Sequence, residues 1–205
     1  MTNPNMPLLR FEGFEGEWAI SQLGDMAHKV TEKNNGLVYS ETFTNSAERG
    51  VVSQMSYFDH KISNDDNIDG YYVVRPDDFV YNPRISSTAP VGPINRNKLG
   101  RTGVVSPLYT VFRIAGVDFQ FLDSFFKSST WHSFLKENGD SGARGDRLSI
   151  SQNVFFELPM SIPSVEEQQA IGRFFAKLNN LIDAEAQLIM KLKQTRNALL
   201  QRMYV

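Results

Sequence analysis

The chain has 205 residues, 41% hydrophobic and 21% charged, enough to bury a core in one large domain or in a domain with an appendage. Its 21 basic and 23 acidic side chains leave a formal net charge of −2, so the total predicts little general attraction to a polyanion. The absence of cysteine excludes disulfides and thiolate metal sites, and no run approaches the ~18 consecutive apolar residues of a membrane-spanning helix.

Residues 1–17, MTNPNMPLLRFEGFEGE, are expected to form an extended lead-in, because Pro4, Pro7, Gly13 and Gly16 break any helix. The stretch lacks the charged start and apolar run of a signal peptide, so a reducing cytoplasm is the expected location. Trp18, Ile20 and Leu23 begin the folded part, and Gly24-Asp25 can cap a helix ending near Asn34-Asn35-Gly36. Strands are expected at Leu37–Tyr39 and Val51–Tyr57. A second pair, Tyr71–Val74 and Phe79–Tyr81, flanks Arg75-Pro76-Asp77-Asp78, where Pro76 suits the second position of a turn.

Pro83 to Gly103 reads as a long irregular loop carrying four cations, and long loops in compact domains are often functional. It lies in an unusual charge window. Residues 1–78 carry 6 basic and 13 acidic side chains, whereas 79–117 carry Arg84, Arg96, Lys98, Arg101 and Arg113 and no acid at all. Two readings stay open: a surface facing a polyanion, or buried strands bearing a few solvated arginines. Val104–Ile114 reads as a strand broken by Pro107. Phe119–Phe126 and Trp131–Glu137 read as short helices, with Ser128 or Ser129 capping the second and Gly139 ending it. A second Gly-rich loop carries Arg144 and Arg147, and Val154–Leu158 reads as a last strand.

Ser164 followed by Glu167 is a capping-box pattern just after the helix-stopping Pro163. From there a 3-4 spacing runs through Ile171, Phe174, Leu178, Leu181, Glu185, Leu188, Leu192, Thr195, Leu199 and Arg202. No proline intervenes between 165 and 203, so one helix is predicted, too long to cover with a face of a small domain. A seam repeating near 3.5 calls for another helix alongside, although Glu185 and Thr195 interrupt it.

No catalytic constellation appears. His28, His60 and His132 have no ligand-like spacing. Asp65–Gly70 opens like a calcium loop, but Pro76 stands where the required carboxylate belongs. There is no phosphate-binding or dinucleotide-binding glycine motif, and after Pro76-Asp77 no acid-x-Lys triplet of a nuclease follows.

The segments LRFEGFEGEWAISQLGD, DDFVYN, GVVSPLYTVFR, LPMSIPSVEEQQAIGRFFAKLNNLID and LKQTRNALLQRMYV, in this order along the chain, resemble one half of the DNA specificity subunit of a type I restriction-modification system. The resemblance implies an α+β fold: a compact mixed strand/helix target recognition domain over 18–163, followed by a long C-terminal spacer and dimerisation helix over 164–205. A full subunit usually carries two such units with paired antiparallel helices. One unit here implies a natural half-subunit or a truncated product, paired with a second copy through Ile171, Phe174, Leu178, Leu181, Leu188, Leu192 and Leu199. The candidate contacts to double-stranded DNA are Arg84, Arg96, Asn97, Lys98 and Arg101, then Lys127, Ser128, Ser129, Arg144 and Arg147.

The resemblance also implies a non-catalytic chain without its own cofactor. S-adenosylmethionine, ATP and magnesium are expected on partners: modification (methyltransferase) subunits and, in some complexes, a restriction subunit. The rival readings are a coiled-coil interaction protein with no DNA role and a stand-alone restriction endonuclease.

Overall fold

The structure, a computed structural model, describes residues 6–58, 68–142 and 145–204. His60, the start of the calcium-like stretch (Asp65–Asn67) and Arg144 lie outside the described residues. In chain order the elements begin with β1 (Ala19–Gln22), α1 (Leu23–Met26), β2 (Ala27–Lys29), β3 (Phe43–Ser46), β4 (Gly50–Ser53) and α2 (Gln54–Phe58). The middle of the chain forms β5 (Tyr72–Val74), β6 (Phe79–Tyr81), β7 (Ile94–Arg96), β8 (Gly103–Val105) and β9 (Thr110–Ile114). It closes with α3 (Phe119–Phe125), α4 (His132–Asn138), α5 (Gln152–Phe156), β10 (Pro159–Ile162) and α6 (Val165–Met203).

The centre is a four-stranded antiparallel sheet in the order β2-β9-β6-β7. Side chains alternate across a strand, and here each face meets its own cluster. Phe79, Tyr81, Phe112 and Ile114 point toward the helices, while Val80 and Val111 point toward β3, β4, β5 and β8. The helix side is ring-rich: Phe79 stacks on Phe112 at 5.6 Å and Tyr81 on Phe155 at 5.0 Å. The Tyr81 hydroxyl donates to the Val91 carbonyl at 3.0 Å, and burial pushes its pKa up.

Between β5 and β6 the chain turns at Arg75–Asp78, closed by a bond from the Asp78 amide to the Arg75 carbonyl at 3.2 Å. Asp77 sits there at φ 68°, the left-handed position of a turn with proline before it. Three expected strands differ. Leu37–Tyr39 is irregular, held by the Asn34 side chain, which bonds the backbone amide and carbonyl of Tyr39. Val51–Tyr57 divides into β4 and α2, and Val154–Leu158 is mostly α5, capped by Ser151. The helix expected from Gly24 stops at Met26, because the chain is drawn into β2 beside β9. The loop over 83–103 contributes β7 and the first residue of β8, and Pro107 separates β8 from β9.

β1 and β10 pair antiparallel and bring the lead-in to the root of α6. Ser164 caps that helix by accepting from the Glu167 amide at 3.3 Å. Glu167, buried, holds Arg10 in a two-pronged pair at 2.7 and 2.8 Å. The Gln168 side chain accepts from the Asp118 amide and donates to the Pro163 carbonyl, each at 2.9 Å. At Gly172 an added Cβ would lie 2.8 Å from the Asp118 carboxylate and the Phe121 amide, so only glycine lets α6 lie this close to α3. Every residue from Lys177 to Tyr204 is exposed, so α6 runs about 42 Å beyond its buried root at ~1.5 Å per residue, its part up to Asp183 still walling a cleft with the domain. Among the described residues no helix is long and apolar enough to cross a membrane.

Candidate nucleic-acid interface

Two surfaces gather the candidate contacts. The first is a polar groove of about 560 Å³ whose walls include Thr44, Ser46, Gln54, Arg84, Ser86 and Thr88. Asn45 and Asn82, both buried, line its floor, and buried Asn95 braces Asn45 from behind. Asn45 donates to the carbonyls of Val80 at 2.6 Å and Pro93 at 3.0 Å; Asn82 donates to the Asn45 carbonyl at 2.9 Å. Asn95 donates to the Asn45 side-chain oxygen at 2.7 Å. These bonds lock the β3–β4 hairpin onto β6 and β7, so the groove is built on rigid strands. One acid, Glu48, lines it. The Gln54 side-chain oxygen is buried there with no hydrogen-bond partner among the described residues.

Arg84 and Arg147 stand side by side at the rim. Their backbones form a bridge, with the Ile85 amide bonded to the Asp146 carbonyl and the Leu148 amide to the Pro83 carbonyl, both at 2.9 Å. Both side chains are exposed; Arg147 is 4.0 Å from Asp146, a loose contact.

The second surface is a charged cleft of about 580 Å³ between the domain and α6, reached by Arg49, Arg96, Lys98, Lys127, Asn180 and Asp183. Asp123 organises it. Arg96 grips that carboxylate with two nitrogens at 2.7 and 3.1 Å, also pairs with Asp77, and lies over the Phe119 ring. Burial opposes the Arg96 charge, yet the two carboxylates raise its pKa on balance. Lys98 reaches Asp123 at 2.7 Å. Desolvation and then the neighbouring Lys98 ammonium push Lys127 down, with Asp123 offsetting part of the effect.

The expected contacts therefore separate. Asn97 is corrected: it is 1% exposed, donates to the carbonyls of Arg75 and Arg101 and accepts from the Leu99 amide, so its amide is spent on its own loop. Arg96 is likewise enclosed, holding β7 to α3. Arg101 is half-exposed but lies in a two-pronged pair with Glu41 at 2.7 and 2.8 Å. Ser128 donates to the Phe125 carbonyl at 2.7 Å and shapes the turn after α3, while Ser129 is exposed beside it. Arg84, Lys98, Lys127 and Arg147 keep side chains at the surface. On α6, Ile171 is half-buried against its own domain, whereas Phe174, Leu178, Leu181, Leu188, Leu192 and Leu199 are exposed. Sequence reasoning missed Thr44, Ser46 and Gln54; a β-rich run with polar members on one face was the available signal.

Among the described residues no group of His, Asp and Glu forms a metal site. No known family profile and no curated protein matches the chain. Solved structures do match, two of them as follows. A chain from a study of complex assembly and conformational transition of the type I R-M system aligns at TM-score 0.57 and 16% identity, covering 95% of this chain and 49% of that one. The HsdS subunit from Thermoanaerobacter tengcongensis aligns at 0.49 and 13%, covering 85% and 41%. This chain spans about half the length of the first solved chain. With its mixed strands and helices and its long terminal helix, it has the fold of a type I restriction-modification chain, as the sequence resemblance implies.

Proposed function

We propose that this chain is a DNA specificity unit of a type I restriction-modification complex. Its domain reads one half-site, and its helix joins it to a second unit and to modification subunits. The observation that carries this reading is the pairing of the fold with a long helix whose every residue past Ala176 is exposed and which keeps an apolar stripe in water. The polar groove supports it: the exposed hydroxyls of Ser86 and Thr88 beside the rim arginine Arg84 are of the kind that read base edges in the major groove. Arg84 and Arg147 sit where cations meet phosphates and position the duplex.

In this reading the chain binds and positions. Methylation belongs to a partner carrying S-adenosylmethionine, which takes its target base out of the stack, and ATP- and magnesium-dependent cleavage belongs to a restriction subunit. Mapping methylated sites in cells that express this chain with its cognate modification subunit tests the proposal. One discrete motif that disappears when the chain is omitted is the expected result. Methylation independent of the chain overturns it.

A further inference from the structure

The turn that joins β3 to β4 stands between the polar groove and the charged cleft, and its Glu48 walls both hollows. We infer that this hairpin tip is a base-reading element: it enters the major groove as a two-stranded ribbon, with Arg49 forked onto a guanine and Glu48 accepting from the amino group of a cytosine. The inference rests on the DNA-reading role in the proposed function, and it names the residues and the kind of base pair they read.

The tip is held before any ligand arrives. Behind it, Asn45 and Asn95 tie the hairpin to β6 and β7, with Asn95 also donating to the Ser46 carbonyl at 3.2 Å. The Ser46 hydroxyl accepts from the amides of Glu48 and Arg49, each at 3.3 Å, and donates to the Tyr57 hydroxyl at 3.4 Å. One hydroxyl thus joins the turn to the first residues of α2. Gly50, at φ 70°, brings the chain back into β4. The Arg49 guanidinium lies over the Tyr57 ring, 5.6 Å from its centroid, a contact that limits its swing and leaves its N–H edge open. Both Glu48 and Arg49 are exposed, and neither side chain has a hydrogen-bond or ion-pair partner among the described residues. Ordering them in advance lowers the entropy lost on binding.

The acid decides between backbone and base. An arginine alone at a loop tip suits a phosphate as well as a base, but a carboxylate beside it is repelled by phosphates. The major-groove edge of a G·C pair satisfies both groups, since guanine presents two acceptors, N7 and O6, and cytosine an amino donor. That groove, ~12 Å wide, admits a two-stranded ribbon. Exposed cations stand on either side of the tip: Arg84 and Arg147 at the rim of the groove, Lys127 on the cleft. They are placed to meet the phosphates that border the groove being read.

Arg49 is exposed on a turn, so Arg49→Ala should melt with the parent chain. Should it melt lower, Arg49→Gln, which keeps the reach over Tyr57 without the guanidinium fork, takes its place. Each chain is expressed in cells with the cognate modification subunit, and the methylated motif is mapped. The parent motif is expected to contain a G·C pair whose identity the Arg49 variant no longer requires, while the other positions persist. In gel shifts of the reconstituted complex, replacing that pair should weaken the parent roughly tenfold or more and leave the variant unaffected. Glu48→Ala is expected to loosen the same position. An unchanged motif with both variants overturns the inference. So does a uniform loss of affinity with the motif intact, which makes Arg49 a phosphate contact. A parent chain that directs no motif overturns the proposed function as well, so the two failures are told apart.

Discussion

The polar groove and the charged cleft hold cations from the same stretch of sequence, yet they treat them differently. In the cleft, Arg96 and Lys98 converge on Asp123, and nearby Arg113 holds the buried Asp78 at 2.7 Å. At the groove, Arg84 has no ion-pair partner among the described residues and Arg147 only a loose one. The acid-free window is therefore not an acid-free surface. Four of its five cations are neutralised by carboxylates from elsewhere in the chain: Asp77, Asp78, Asp123 and Glu41. A charge imbalance along the sequence becomes a binding surface only where folding brings no counter-charge to it.

Substitutions sharpen this contrast. Arg96→Ala should have the largest effect on the fold, about 2–3 kcal/mol of stability by urea titration, since it strips two carboxylates of a partly buried partner. If stability is unchanged and DNA binding is lost instead, the cleft is a reading surface and the contrast fails. Arg84→Ala with Arg147→Ala should leave stability within about 0.5 kcal/mol. In the reconstituted complex it should weaken DNA binding roughly tenfold and reduce the salt dependence by about one to two phosphate contacts in a gel-shift series. The smallest effect belongs to Arg101→Ala, a slight loss of stability by urea titration, because its pair with Glu41 is solvated. The Arg101 hydrogen bond holds the Glu41 carboxyl below its usual range. That contribution is present at neutral pH and is lost as acid titrates Glu41 through its lowered folded-state pKa, so the variant should differ from the parent above pH 5 and converge with it in stronger acid.

Much of the architecture was readable from residue pattern. β6, the turn before it, α3 and α4 follow from aromatic and β-branched runs bounded by turn residues, and α6 from its cap and its period. What escaped was decided by distant partners. β7 and the start of β8 lie in a Pro- and Gly-rich stretch that reads as loop, and become strands because β6 and β5 offer them an edge. α5 carries the apolar run of a strand, but Ser151 caps it as a helix and β10 follows as the strand that meets β1. The candidate site was legible as a set of cations and illegible as a geometry. Asp123 lies 27 residues after Arg96 and Glu41 lies 60 before Arg101, distances over which no local pattern announces a pair.

The bare rod past Ala176 has a thermodynamic corollary. An unaccompanied helix of that length is marginal in water, and its persistence depends on what covers its apolar flank. The domain keeps its own core whatever its surroundings, so diluting the protein would fray the rod while the globule stays folded. Heated at several concentrations, the molecule would then melt in two stages, of which only the rod's moves with dilution.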